Sequence, residues 1–155
     1  MKKIILTAII IGIIALTIII TFIKTKSTQD STIEILATNL DTPWAIDFLP
    51  EGALLFTERP GRVSIIGEGR VKLIKEINVN EESESGLLGI AVDPEFEENH
   101  FIYIYYTYEK GNRVSRFTFS QQEKKLENEL ILLENIPHAK YHDGGRIKFG
   151  PDEKL

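Results

Sequence analysis

A short sequence pattern that occurs three times limits the folds open to this chain more than any other feature. Each copy has Ile in second place, a large apolar residue in fourth place, and then Pro followed by an acidic residue. The copies lie at 45–51, 89–95 and 146–152. They recur roughly every 50 residues, which is typical of repeat architectures such as β-propellers, where one four-stranded antiparallel blade forms one repeat. Since proline cannot donate a hydrogen bond to a sheet, each proline is expected just after a strand.

The segments between the repeats indicate strands, and beyond residue 26 no helical periodicity is found. Short β-type runs separated by turn residues predict first-blade strands near 43–49, 53–57, 62–66 and 72–77. A second blade is expected over about 86–134, and a third from Gly144. Because a propeller needs at least about four blades to close, we expect an all-β chain that holds only about two and a half blades of a truncated propeller.

Two neighbouring runs in the second predicted blade show how its strands are expected to lie. The run 101–108 (FIYIYYTY) is aromatic and β-branched throughout, which suits a strand covered on both faces. The run 113–119 alternates between polar and apolar residues, and 110–112 (KGN) before it supplies turn residues. Together they predict a β-hairpin.

The N-terminus carries an uncharged run, 4–23, that is long enough to cross a bilayer. We expect residues 1–26 to be a membrane anchor or signal segment, 27–32 a linker, and 33–155 the propeller domain. An uncleaved transmembrane helix is favoured over a removed signal peptide because the run is long and no small-residue cleavage pattern follows it. A weak positive-inside bias favours a cytoplasmic N-terminus, so the domain is expected to be extracytoplasmic, at the cell surface or in the periplasm.

The charge and cysteine content exclude several classes of function. The whole chain has a formal net charge of −5, and residues 1–26 hold four lysines and no acidic residue, so the domain is more acidic still. Such a domain lacks the clustered basic residues that a nucleic-acid surface requires. With no cysteine in the chain, disulfides and thiolate metal sites are impossible.

The starts of the repeats supply the candidate site residues, because in a propeller these positions surround the central channel. Nine residues before each repeat proline stand Asp41, Ser85 and His142, three different polar groups at equivalent positions. His142 is the candidate general base, since imidazole can accept a proton near neutral pH. The alternative is a channel-lining or turn histidine. Glu84 lies beside the start of the second repeat and is a second candidate.

The other two histidines are weaker candidates. His100 begins the run 101–108 and is expected at the surface, while His138 follows a proline in a predicted loop. No metal-binding motif links the three histidines, so no metal ligand is assigned.

Four motifs in order resemble the glucose/sorbosone dehydrogenase family, the soluble quinoprotein aldose dehydrogenases. They are 40–52 (LDTPWAIDFLPEG), 57–62 (TERPGR), 85–96 (SGLLGIAVDPEF) and 142–152 (HDGGRIKFGPD). The resemblance implies a six-bladed β-propeller that binds pyrroloquinoline quinone (PQQ) and calcium. It also implies oxidation of the anomeric carbon of aldose sugars to lactones, with electrons passing to an external acceptor.

The resemblance also assigns roles to individual residues. It implies that His142 is the catalytic general base, that Glu84 lines the substrate pocket, and that Asp143 either orients the base or contacts the substrate. In the family, the groups that hold the quinone and calcium come from later blades, so residues 1–155 alone are expected to be inactive. The rival interpretations are a non-enzymatic extracytoplasmic binding module and an inactive fragment or half of a split gene.

Overall fold

The computed structural model describes residues 33–155. The predicted anchor and linker, 1–26 and 27–32, lie outside the described residues. Within residues 33–155, no helix has the length and apolar character needed to cross a membrane.

The described chain forms two four-stranded antiparallel sheets, in each of which the strands are paired in sequence order. The first sheet contains β1 (Pro43–Phe48), β2 (Leu54–Glu58), β3 (Arg62–Gly67) and β4 (Arg70–Glu76). The second contains β5 (Leu87–Val92), β6 (Phe101–Tyr108), β7 (Gly111–Ser120) and β8 (Lys125–Ile136). A four-residue helix, α1 (Phe96–Asn99), lies between β5 and β6. The all-β prediction is therefore confirmed, and the predicted strands lie within a few residues of the observed ones.

The hairpin turns explain two details of this register. Between β3 and β4, Glu68 and Gly69 both have positive φ, 51° and 70°, which suits the twist of a two-residue hairpin. Between β6 and β7, the turn residues are 109–110 and Tyr108 pairs with Gly111. The turn predicted at 110–112 is thus one to two residues too late, because Gly111 and Asn112 already belong to the ladder.

The core lies between the two sheets and is formed by alternate residues of their strands. Leu55 and Val63 of the first sheet pack in one buried cluster with Ile104 and Phe117 of the second. The opposite face of β6 contributes Tyr105 to a second, smaller cluster. The prediction that β6 is covered on both faces is therefore confirmed.

The third repeat is close to the second sheet but does not form a strand. An added Cβ on Gly145 would lie 2.6 Å from the Cβ of Leu88, and Ile147 packs against the cluster that contains Leu88. The ring of Phe149 meets that of Tyr103 edge-on, with centroids 5.2 Å apart. β1 and β5 each pair with the strand that follows them, and among residues 33–155 no strand pairs with 144–149. The strand predicted from Gly144 is therefore absent because it has no ladder partner.

Candidate functional site

The polar residues predicted to surround the channel lie on three loops that contact one another. The β2–β3 turn supplies the carbonyl of Arg59, which accepts the backbone N–H of Leu87 at 2.8 Å. The loop before β5 donates the N–H of Glu84 to the carbonyl of Lys140 at 3.3 Å. These bonds bring the starts of the second and third repeats to the same end of the fold.

Glu84 and His142 meet directly at this end. The backbone N–H of His142 donates to a carboxylate oxygen of Glu84 at 2.5 Å. His142 has a φ of 61°, so the chain turns sharply at this residue, and the residue is exposed. Within residues 33–155, no group forms a hydrogen bond with its ring nitrogens. The arrangement places an exposed histidine on a turn that the Glu84 carboxylate holds through the backbone, and such a histidine is available for proton transfer with a bound ligand.

Asp143 is buried, with only 8% of it exposed, whereas the adjacent His142 is exposed. One of its carboxylate oxygens accepts the amide Nδ2 of Asn112 and the backbone N–H of Ala139, both at 3.0 Å. The other is 3.1 Å from the hydroxyl of Thr107. Its carboxylate is thus occupied by neutral groups in the interior.

Thr107 and Asn112 were not predicted from the sequence, although both are fully buried beneath this end. They lie at the end of β6 and the start of β7, where polar residues usually indicate solvent-exposed turns. Burial and the nearby charge of Asp143 raise the pKa of Tyr105, so this phenol stays protonated at neutral pH.

The residues equivalent to His142 in the other repeats, Ser85 and Asp41, form local contacts. The hydroxyl of Ser85 accepts the N–H of Glu82 at 2.8 Å and is itself buried. Asp41 lies 3.8 Å from the guanidinium of Arg62. The difference in residue type between equivalent positions therefore reflects different local contacts.

The other two histidines have separate environments. His100 is half-buried rather than at the surface, because its ring Nδ1 lies 2.9 Å from the carbonyl of Phe96, where it ends α1. His138 is exposed in the loop after β8. No cluster of three potential metal ligands is found in the described part of the chain.

The three repeats together line a groove of about 700 Å³. Its walls are the inner strands β1 and β5 and the segment 144–148, and its aromatic and basic side chains are Trp44, Arg146 and Lys148. Gly89 of β5 forms part of the wall, and a side chain there would collide with the backbone of Gly145. Glycine therefore allows the second and third repeats to approach closely beside the groove.

Comparison with known proteins identifies the family of this chain. The sequence model of the family described as Glucose / Sorbosone dehydrogenase matches residues 40–155. The chain belongs to this family. The match includes the first repeat, the Glu84–His142 site and the third repeat. The two antiparallel sheets of this glucose/sorbosone dehydrogenase family member match the β-propeller-like fold of its structural neighbours.

Relatives of this family member include proteins of established name. The chain is 30% identical over 150 residues to quinoprotein glucose dehydrogenase B of Acinetobacter calcoaceticus, covering 86% of this chain and 31% of the relative. It is 33% identical to the PQQ-bound aldose sugar dehydrogenase of Streptomyces coelicolor, with a TM-score of 0.73, covering 78% and 38%. It is 25% identical to the soluble aldose sugar dehydrogenase of Escherichia coli in its apo form, with a TM-score of 0.66, covering 74% and 36%. The chain spans about a third of the length of these relatives.

Proposed function

We propose that residues 33–155 are the first part of a PQQ-dependent aldose dehydrogenase that oxidises the anomeric carbon of aldoses to lactones. Membership of the family supports this proposal, as do the names of a quinoprotein relative and a PQQ-bound relative. The observation that carries it is the exposed His142, which lies on a turn whose backbone N–H is held by the carboxylate of Glu84.

The proposed whole is a six-bladed propeller, of which the two described sheets are the first blades. Trp44, Ile46 and Phe48 alternate along β1 and are 44%, 62% and 54% exposed. An apolar strand face of this kind is normally covered by a neighbouring sheet. Further blades would provide that cover, and this supports the proposed architecture.

The described residues fit one end of PQQ and not the other. His142 lies two residues before Gly144 of the groove wall, and a base there suits the end where a sugar hydroxyl is deprotonated. PQQ also carries carboxylates, which require several basic partners. Among residues 33–155, the basic side chains on the groove walls are Arg146 and Lys148. We therefore propose that the residues holding these carboxylates, and any calcium, lie outside residues 33–155.

In this proposal, PQQ supplies the acceptor for the hydride from the sugar C1, and this chain supplies the base. A ring nitrogen of His142 takes the proton of the C1 hydroxyl, which favours departure of the hydride because negative charge develops on that oxygen. Glu84 holds the backbone of His142 by accepting its N–H, so the imidazole is directed from a fixed turn. General-base catalysis of this kind contributes about 10²- to 10⁴-fold to the rate.

Three further parts of the proposal concern the setting of the enzyme. The run 4–23 would anchor the protein in the membrane, the domain would be extracytoplasmic, and an external acceptor would reoxidise the cofactor. Membrane fractionation of the expressed protein, followed through a fluorescent C-terminal fusion, would test the anchor. Recovery with the membranes would support it, and recovery in the supernatant would contradict it.

The test of function is aldose-dependent dye reduction by the full-length protein with added PQQ and calcium. We expect activity that His142→Ala lowers at least about a hundredfold. His138→Ala is the matched control, because His138 is an exposed histidine in the same loop region and has no proposed role. If PQQ neither binds nor supports turnover, the proposal is wrong and a sugar-binding module becomes the better interpretation. If both variants stay fully active, His142 is not the base.

A further inference from the structure

The loop that carries Glu84 and the loop that carries His142 are joined beneath the surface by buried hydrogen bonds. The backbone N–H of Gly86 donates to the hydroxyl of Thr107 at 3.1 Å. That hydroxyl lies 2.6 Å from the side-chain oxygen of Asn112. The amide Nδ2 of Asn112 then donates to Asp143 at 3.0 Å. The chain of bonds therefore begins two residues after Glu84 and ends one residue after His142.

The donors and acceptors of Thr107 fix the direction of this chain. A threonine hydroxyl has one proton to donate, and two acceptors are within reach: Asn112 at 2.6 Å and Asp143 at 3.1 Å. We assign the proton to the shorter contact, the one with Asn112. The hydroxyl then accepts from Gly86 and donates to Asn112, and Asn112 in turn donates to Asp143. Linked hydrogen bonds of one direction strengthen one another in a buried environment.

The backbone of Thr107 adds two more connections to the same loop. Its N–H donates to the carbonyl of Gly86 at 2.8 Å, and its carbonyl accepts the N–H of Asn80 at 2.9 Å. Both Thr107 and Asn112 are 0% exposed, so water cannot replace the lost partners if the hydroxyl is removed.

We propose that Thr107 is a positioning residue, whose hydroxyl fixes the loop of Glu84 relative to the loop of His142. The residue lies beneath the site and does not contact substrate itself. This inference rests on the proposed function only for its effect on turnover, since the geometry that it maintains can be measured without PQQ.

The test compares Thr107→Val, which keeps the shape and removes the hydroxyl, with Thr107→Ser, which keeps the hydroxyl. Thr57→Val is the matched control. Thr57 is also 0% exposed, and its hydroxyl also connects two backbone segments, donating to the carbonyl of Leu88 at 2.7 Å and accepting the N–H of Ala45 at 3.1 Å. Within residues 33–155, neither of these hydrogen bonds involves Glu84 or the loop of His142.

The first readout is the amide resonance of His142 in full-length, cofactor-free protein labelled with ¹⁵N-histidine and assigned with His142→Ala. We expect Thr107→Val to move the amide proton upfield, because its bond to Glu84 lengthens, and Thr107→Ser to restore the original position. The second readout is kcat against KM. Thr107→Val should lower kcat by about 10- to 100-fold with little change in KM, since misplaced catalytic groups cost rates of this order.

The control separates positioning from simple loss of stability. Thr57→Val should lower the thermal midpoint as Thr107→Val does, yet leave the His142 resonance and kcat nearly unchanged. Equal effects of the two valine variants on both readouts would overturn the proposal. If wild-type protein shows no aldose-dependent reduction, the proposed function is wrong, and the resonance alone decides the role of Thr107. If Thr107→Val does not fold, Asn112→Ser breaks the next bond of the chain and carries the same expectations.

Discussion

Gly86 lies where the backbone of the site passes close to the β2–β3 turn, so a substitution there tests how the loops are held. Its φ is +128°, a region that residues with a side chain rarely adopt. A Cβ at this position would lie 2.5 Å from the carbonyl oxygen of Arg59. That oxygen cannot move freely, because it accepts the N–H of Leu87 at 2.8 Å.

The cost of Gly86→Ala can be estimated from these two effects. Backbone strain in a sparsely populated region costs about 1–3 kcal/mol. Displacing the Arg59 carbonyl weakens a buried hydrogen bond with a net value of about 1 kcal/mol. We therefore expect Gly86→Ala to lower the free energy of unfolding by about 2–4 kcal/mol.

The matched control is Gly69→Ala in the β3–β4 turn. Gly69 also has a positive φ, +70°, but an added Cβ there would meet nothing within 4 Å. Only the left-handed conformation is then penalised, by about 1–2 kcal/mol. Urea unfolding of the full-length protein with unchanged m-values would measure both losses. If the two variants lose equal stability, the close approach of Gly86 to Arg59 has no energetic weight and the reasoning is refuted.

Two further predictions concern the core and the pH dependence of stability. Leu55→Ala should lower the free energy of unfolding by about 2–5 kcal/mol, because Leu55 is 0% exposed between the two sheets; a loss below about 1 kcal/mol in urea unfolding would contradict this. The hydrogen bond from Arg62 holds the pKa of Glu58 below its ordinary 4.5. Its contribution is therefore complete above pH 4.5 and is lost as pH falls through the lowered pKa. The stability difference between wild type and Glu58→Gln should shrink between pH 7 and pH 3, whereas a constant difference would contradict the assignment.

The strands could be predicted because they depend on local signals. Alternation of apolar residues and turn residues locates the four strands of the first sheet, β6 and β7 within a few residues, and the repeated Ile and Pro positions mark β5. No bounds were predicted for β8. The third repeat shows the limit of this reasoning. Its pattern equals that of β1 and β5, but a strand also needs a partner, and among residues 33–155 none pairs with it. The β6–β7 turn shows a smaller limit, since Gly111 reads as a turn residue but pairs with Tyr108.

The candidate site was predictable only in its exposed part. Glu84 stands one residue before Ser85, the position of the second repeat that is equivalent to His142, so the repeat itself predicts that Glu84 and His142 lie close together. The buried part depends on pairs that are distant along the chain, such as Thr107 and Asp143, 36 residues apart. No local pattern distinguishes a threonine at a strand end that faces solvent from one that accepts a buried hydrogen bond. The sequence therefore left two roles open for Asp143, and the buried bonds of its carboxylate could not be predicted from it.

The most direct test of the central claim is the rate at which an aldose reduces protein-bound PQQ on rapid mixing. The full-length protein, loaded with PQQ and calcium, would be mixed with glucose and other aldoses while the absorbance of the quinone is followed. We expect sugar-dependent reduction in wild type and in His138→Ala, and a rate at least about a hundredfold lower in His142→Ala. Equal rates in wild type and His142→Ala, or no reduction by any aldose, would contradict the account.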